Sequence, residues 1–218
     1  KDCFNFIQIN QDIYRNVTLD SPSNFETAYG GLLCSQALAA SNLTVPSSFY
    51  CHSIQSLFTQ SVSKRGSVDY HVKRIFDGRS FVTRSVECKK GDKTILTVLI
   101  SYHKNEPDSC SHQSTIPSVP PPEDCPAVDV FYQYSLSWIS LEQRKTENIE
   151  RVVVPYEARC ADIDRFHNHE HPSSKYHFWM KYKFPMDIHQ RNNEALLYMS
   201  DALPVLIVYH CYVLGHNT

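Results

Sequence analysis

Residues 29–40 read Tyr29-Gly30-Gly31-Leu32-Leu33-Cys34-Ser35-Gln36-Ala37-Leu38-Ala39-Ala40, small or apolar at almost every position, with no polar stripe at helical spacing. A helix of that composition is buried on all sides, because no face of it offers water a row of polar groups. The glycine pair at its start lets a second backbone, or a ligand, come close to the N–H groups of the first turn. Such a helix needs a wrapping, and the sequence after Pro46 supplies one, with strands predicted over residues 50–58, 67–74, 81–89 and 94–103. Val68, Tyr70 and Val72 share one face of the second strand. Val82, Arg84, Val86 and Cys88 share one face of the third, opposite Phe81, Thr83, Ser85 and Glu87. Asp77-Gly78 and Gly91-Asp92 stand between strands and read as tight turns, while Ile95, Leu96, Val98, Leu99 and Ile100 make the fourth strand central in a sheet. Residues 4–15 read as a further short strand or hairpin. The expectation is one buried helix against an antiparallel meander.

The chain has 218 residues, about one and a half ordinary domains. An apolar share of 42% with 20% charged residues fills a core and excludes wholesale disorder. Lys plus Arg number 21 against 23 Asp plus Glu, so the basic field that nucleic-acid binding needs is lacking. No apolar run approaches the ~20 residues of a membrane span. The chain opens on Lys1, which reads as an internal or processed start. Eight cysteines without close pairs read as buried thiols of an intracellular protein, and the sequons at Asn16 and Asn42 read as chance matches.

Past residue 104 the composition shifts. Pro107, Pro117, Pro120, Pro121, Pro122 and Pro126 mark residues 105–126 as an extended linker, since proline donates nothing to a ladder and blocks a helix. Residues 127–144 carry apolar positions at helical spacing, residues 149–158 and 175–184 read as strands, and Pro185 opens a helix over about 186–205. The boundaries are therefore 1–104, 105–126 and 127–218.

At this point the sequence resembles the type II acyl-CoA thioesterases. Residues 29–38 are similar to that family's aromatic-Gly-Gly segment and the Gln-Ala-Leu of its first helix. His52-Ser53-Ile54-Gln55-Ser56-Leu57-Phe58 is similar to its His-Ser-x-His-Ser-Tyr-Phe strand, with Gln55 in place of the second histidine. Asp77-Gly78-Arg79-Ser80-Phe81-Val82-Thr83-Arg84 matches its hairpin, residues 117–123 its proline-rich linker, and Tyr198-Met199-Ser200-Asp201 the Ser-Asp of its second helix. The resemblance implies an α+β double hotdog, an antiparallel sheet wrapped around a central helix, with the second hotdog incomplete here. It implies hydrolysis of fatty acyl-CoA without metal or organic cofactor, an acyl-CoA substrate as partner, a homo-oligomer formed through hotdog sheets, and a peroxisomal or cytoplasmic location, although the tail is not of the Ser-Lys-Leu type.

By the same resemblance Asp201 is the catalytic carboxylate that holds the attacking water, and an aspartate after Leu196, Leu197, Tyr198 and Met199 is costly unless partnered. The plain alternative is a helix aspartate turned to solvent. The family's Ser/Thr and Gln partners follow on later strands, and the chain reaches Thr218 first, so weak or absent turnover by this chain is expected. The alternative is a non-catalytic hotdog that binds acyl chains or pairs with other subunits. His52 is a second catalytic candidate, read equally as a core histidine at a sheet edge. Gly30 and Gly31 are candidate substrate-binding residues, though close helix–sheet packing explains them as well. The cluster His167, His169, Glu170 and His171 reads as a surface loop, and no metal site is assigned.

Overall fold

The structure is a computed structural model that describes residues 3–19, 26–107, 109–129, 154–167, 175–183 and 192–202. The chain divides into two compact units, Lys1–Ser111 with Met186–Tyr198, and His112–Pro185 with Met199–Thr218.

In the first unit β1 (Phe6–Asn10) and β2 (Ile13–Asn16) form a hairpin. Helix α1 (Gly30–Asn42) follows, then β3 (Phe49–Phe58), β4 (Asp69–Asp77), β5 (Phe81–Lys90) and β6 (Lys93–Lys104). The six strands make one antiparallel sheet in the order β1-β2-β4-β5-β6-β3. Every residue of α1 from Gly31 to Ser41 is buried, the all-round burial predicted for it. Leu33, Ala37, Leu38 and Ala40 pack with Val68, which precedes β4, and with Tyr70, Val72, Val82, Val86, Val98 and Ile100, inward residues of β4 to β6. The β4 and β5 alternations are thus as the sequence indicates: one row enters the core and the other faces away.

The turns have local causes. Asp12 sits at φ 57° in the β1–β2 turn, a conformation that a short polar side chain tolerates, and its carboxylate receives both Nε (2.8 Å) and Nη2 (2.9 Å) of Arg74. Gly91, at φ 59°, allows the tight β5–β6 connection.

Among the buried polar residues, Gln36 and Arg84 are fully engaged. Gln36 Oε1 accepts from Tyr70 Oη (2.6 Å) and Asn16 Nδ2 (3.2 Å), and its Nε2 donates to the carbonyls of Cys3 (2.7 Å) and Thr18 (2.9 Å). Asn16 Oδ1 also takes the Val68 N–H at 2.8 Å, so this sequon asparagine is a structural group inside the sheet. Arg84, with a wholly buried side chain, meets the C-terminal end of α1. Its Nε and Nη2 donate to Thr44 Oγ1 and O (both 3.0 Å), its Nη1 to the carbonyls of Phe76 (3.2 Å) and Thr83 (3.0 Å), and its Nη2 also to Asp77 (2.5 Å). A cation at a helix C-terminus complements the partial negative charge of the last carbonyls.

The second unit contains a short 3-10 turn (Pro122–Asp124) and the strands β7 (Ala127–Val128), β8 (Tyr156–Cys160) and β9 (Phe178–Tyr182), paired antiparallel in that order. Helix α2 (Ile163–His167) lies between β8 and β9, and its buried Phe166 packs edge-on against Tyr176 and Phe178, both at 5.7 Å. Carbonyls of the proline-rich stretch are met by side chains of this unit. Trp179 Nε1 donates to Pro120 (2.9 Å), and Arg159 Nη1 to Pro122 (3.2 Å) and Cys125 (2.8 Å). The helix predicted over 127–144 begins instead with the two residues of β7, and residues 130–144 lie outside the described residues.

Helix α3 (Asn192–Ser200) ends in a turn at Asp201 and Ala202. Of the 186–205 helix predicted, 186–191 and 203–205 lie outside the described residues. Among the described residues no helix is long and apolar enough to cross a membrane.

Candidate active site

Within the first unit α3 runs beside α1 in the opposite direction. At one end Asn42 Nδ2 donates to Glu194 Oε1 (2.7 Å) and Asn193 Nδ2 to the Cys51 carbonyl (3.2 Å); at the other Tyr29 Oη donates to the Tyr198 carbonyl (2.9 Å). Asn42 is tied in turn through its Oδ1 to Tyr102 Oη, 2.8 Å away, which also lies 2.7 Å from Ser41 Oγ. Burial drives the Tyr102 phenol well above its usual range, so it stays protonated and available to this network. A cleft of about 430 Å³ opens beside these residues, walled by Phe4, Phe6, Val45 and Phe49, with Asn42 and the buried Glu194 among its polar groups.

Gly31 lies where the two helices touch. A Cβ built on it would come within 2.8 Å of both the Tyr198 carbonyl oxygen and the Tyr29 ring, a separation that side chains do not reach. Its Cα face is therefore occupied by protein. Gly30 precedes it at the first position of α1 and is partly exposed.

Asp201 is exposed in the turn that closes α3, three residues beyond Tyr198. The turn is pinned by the Ala202 N–H, which donates to the Met199 carbonyl at 3.1 Å. Ser200 and Met199, the residues of the Ser-Asp segment, complete the last turn of the helix.

His52 stands at a bulge in β3 between Cys51 and Ser53. Its Nε2 lies 2.9 Å from Ser101 Oγ, and its ring neighbours Phe81 (6.0 Å) and His103 (6.1 Å). Ser101 alternates with the core residues Ile100 and Tyr102, so it and His52 occupy the face of the sheet opposite α1. The nearby carboxylate, Glu106, pairs with His103 at 3.5 Å. His52 and the α1–α3 contact thus belong to different faces of the first unit.

The histidine cluster lies outside the described residues over 168–174. Its flank Asp162 accepts from the His177 backbone N–H (2.7 Å) and lies 2.8 Å from His177 Nδ1. Among the described residues no group of three or more His, Cys, Asp or Glu is arranged to hold a metal ion. Lys90 Nζ donates to the carbonyls of Ser63 (2.6 Å) and Arg65, so this turn lysine holds a neighbouring loop.

The sequence reading missed Tyr29 and Tyr198 as partners, 169 positions apart, and it did not single out Arg84 or Gln36 as buried polar centres. For Arg84 a signal was present, since its place in phase with Val82, Val86 and Cys88 dictates burial.

A family model for the acyl-CoA thioesterase N-terminal domain matches residues 19–103, the helix and meander of the first unit. Residues 19–103 thus resemble an acyl-CoA thioesterase N-terminal domain. It is 28% identical over 180 residues to mouse acyl-coenzyme A thioesterase 8, a match that takes in 81% of this chain and 56% of the mouse protein. It is 27% identical over 212 residues to acyl-CoA thioesterase 2 of Haemophilus influenzae, covering 95% of this chain and 71% of that one. The chain thus spans little more than half the length of the mouse relative. Among solved structures it resembles an acyl-CoA thioesterase II of Mycobacterium marinum, with a TM-score of 0.68 and 24% identity over 92% of this chain and 67% of that one. That likeness establishes the hotdog fold expected from the sequence: an α+β protein with a central helix held in an antiparallel sheet.

Proposed function

We propose that this protein hydrolyses fatty acyl-CoA to free fatty acid and coenzyme A, with Asp201 as the carboxylate that orients and deprotonates the attacking water. The observation that carries the reading is the match of residues 19–103 to the acyl-CoA thioesterase N-terminal domain, reinforced by Ser200-Asp201 at the end of a helix packed on α1. In the reaction the water oxygen bonds to the thioester carbonyl carbon while its proton passes to Asp201. The C–S bond then breaks, and the proton passes to the departing thiolate. Thioester carbonyls need donors as negative charge develops on oxygen, and backbone N–H groups at a helix start are suited to that task. In this reading Gly30 and Gly31 contribute through their backbone at the first turn of α1.

The test is release of free thiol from acyl-CoA of graded chain length by the purified protein and by Asp201→Asn. A general base contributes about 10²- to 10⁴-fold, so kcat is expected to fall at least ~100-fold in the variant. Turnover is expected to be weak, as the sequence indicates, and measurable turnover that is equal in wild type and Asp201→Asn overturns the reading. On the same reading the protein acts in the peroxisome or the cytoplasm, which fractionation of the native protein checks.

A further inference from the structure

We propose that Ser101 and His52 form a nucleophilic pair on the outer face of the first unit's sheet, able to take the acyl group of an apolar carboxylic ester. The activity is distinct from the thioester hydrolysis proposed above and does not rest on it. His52 Nε2 lies 2.9 Å from Ser101 Oγ, so in the tautomer protonated at Nδ1 it accepts the hydroxyl proton. That is the arrangement by which an imidazole activates a weak alcohol nucleophile. The contact depends on the bulge in β3 between Cys51 and Ser53, where one extra residue re-aims the His52 side chain, a device that recurs beside active sites. Phe81 and His103 flank the imidazole edge-on, at 6.0 Å and 66° and at 6.1 Å and 74°. These two rings hold its plane, the orienting task that a third group performs in other nucleophile–base pairs.

The surroundings suit an apolar ester. Leu99 stands two residues before Ser101 on the same face of β6 and is 45% exposed, and Phe81, opposite His103 on β5, is 48% exposed. Both offer apolar surface beside the hydroxyl. A concavity of about 420 Å³, within the range of small-molecule sites, is bounded by His52 with Tyr50, His103, Lys104, Asn105 and Glu106. Lys104 and Asn105 bring N–H donors for negative charge developing on an ester oxygen. Glu106 is engaged by Ser80 Oγ at 3.1 Å and by His103 at 3.5 Å. In the reaction Ser101 Oγ bonds to the ester carbonyl carbon while its proton passes to His52 Nε2. The C–O bond to the alcohol then breaks, and that proton goes to the departing alkoxide. Water cleaves the resulting acyl-serine with the same assistance, giving the carboxylic acid and returning the proton to Ser101.

The experiment treats the full chain with a fluorophosphonate, which bonds its phosphorus to an activated serine oxygen with loss of fluoride, and maps the label by peptide mass spectrometry. Ser101 is expected to label at least ~100-fold faster than Ser53, which stands directly opposite it on β3, and His52→Gln to slow the reaction by a similar factor, the worth of a general base. Ser53→Ala is expected to label as wild type does. With p-nitrophenyl butyrate, wild type is expected to release p-nitrophenol and to carry a butyryl group on Ser101, and Ser101→Ala to lose both. Labelling of Ser101 no faster than of Ser53 overturns the inference. So does a Ser101 labelling rate that is unchanged when wild type is unfolded in urea, or a folded His52→Gln that labels as fast as wild type. The first two comparisons use wild type alone, so they decide the matter whether or not a variant folds.

Discussion

Replacing Arg84 tests how a wholly buried cation is tolerated inside this sheet. Its guanidinium makes five hydrogen bonds: three to the main-chain carbonyls of Phe76, Thr83 and Thr44, one to Thr44 Oγ1, and one to Asp77. Arg84→Lys keeps the charge but offers at most three donors from a single nitrogen, so at least two of the five bonds are lost. At roughly 1 kcal/mol net per bond, more for a charged donor, the cost is about 2–3 kcal/mol. Arg84→Met keeps the apolar stem and removes every donor, leaving the buried Thr44 carbonyl and the part-buried Phe76 and Thr83 carbonyls without it at about 1–3 kcal/mol each; the pair with Asp77 counts little because that carboxylate is 54% exposed. Over the three carbonyls the sum is about 3–9 kcal/mol, comparable with a domain's whole stability of about 5–15 kcal/mol. Urea unfolding followed by tryptophan fluorescence and far-ultraviolet circular dichroism reads the difference as a shift of midpoint at constant slope. The Met variant should be the less stable of the two. A Met variant as stable as wild type would mean that the carbonyls find water or that the strand shifts, and would refute the view of Arg84 as the donor that closes the α1 C-terminus.

Two further expectations follow from the charges and thiols. The Asp12 and Asp69 carboxyls are held below their usual value, chiefly by hydrogen bonds from Arg74 and Arg15 with burial opposing, so their folded pKa lies below the unfolded one of about 3.9. Their stabilisation is complete above the unfolded value and disappears as pH falls through the folded one. The double variant Asp12→Asn, Asp69→Asn should therefore lose less stability between about pH 5 and pH 2 than wild type does, and an equal acid loss would contradict the assignment. Burial pushes the Cys51 thiol up to about 11 and the Cys88 thiol well above its ordinary value, whereas Cys110 is exposed. Because the thiolate is the reactive form, iodoacetamide at about pH 8 should mark Cys110 first, and peptide mass spectrometry showing Cys88 labelled as fast in the folded protein would refute that order.

Much of the first unit was legible because its patterns are strong and local. Residues 29–40 carry no polar stripe, so burial of α1 on all sides needed no knowledge of its neighbours. The alternations Val68-Tyr70-Val72 and Val82-Arg84-Val86-Cys88 assigned faces to β4 and β5 through the period of two alone. The second part was harder to read. Residues 127–128 are a strand where helical spacing suggested a helix, since two residues paired with β8 obey the sheet and not the spacing of the residues that follow. The candidate site was legible as a set of motifs, Gly30-Gly31, His52 and Ser200-Asp201, but not as an arrangement. Nothing in the local pattern of His52 says that a bulge turns it away from α1, because one extra residue reverses the face of a strand.

The sequence by itself determined a helix that had to be enclosed, the antiparallel strands that enclose it, and the short motifs by which the chain resembles the acyl-CoA thioesterases; the helix and strands follow from periodicity, turn chemistry and residue type over a dozen positions at a time. Only the tertiary structure decided that Tyr29 donates to Tyr198, that Gly31 is bare because a carbonyl lies against it, and that Gln36 and Arg84 spend all their hydrogen-bonding capacity inside the core. Each of these depends on atoms brought within 3 Å from far apart in the chain. A hydrogen bond is short and directional, and sequence spacing carries no record of which distant group will stand at that distance.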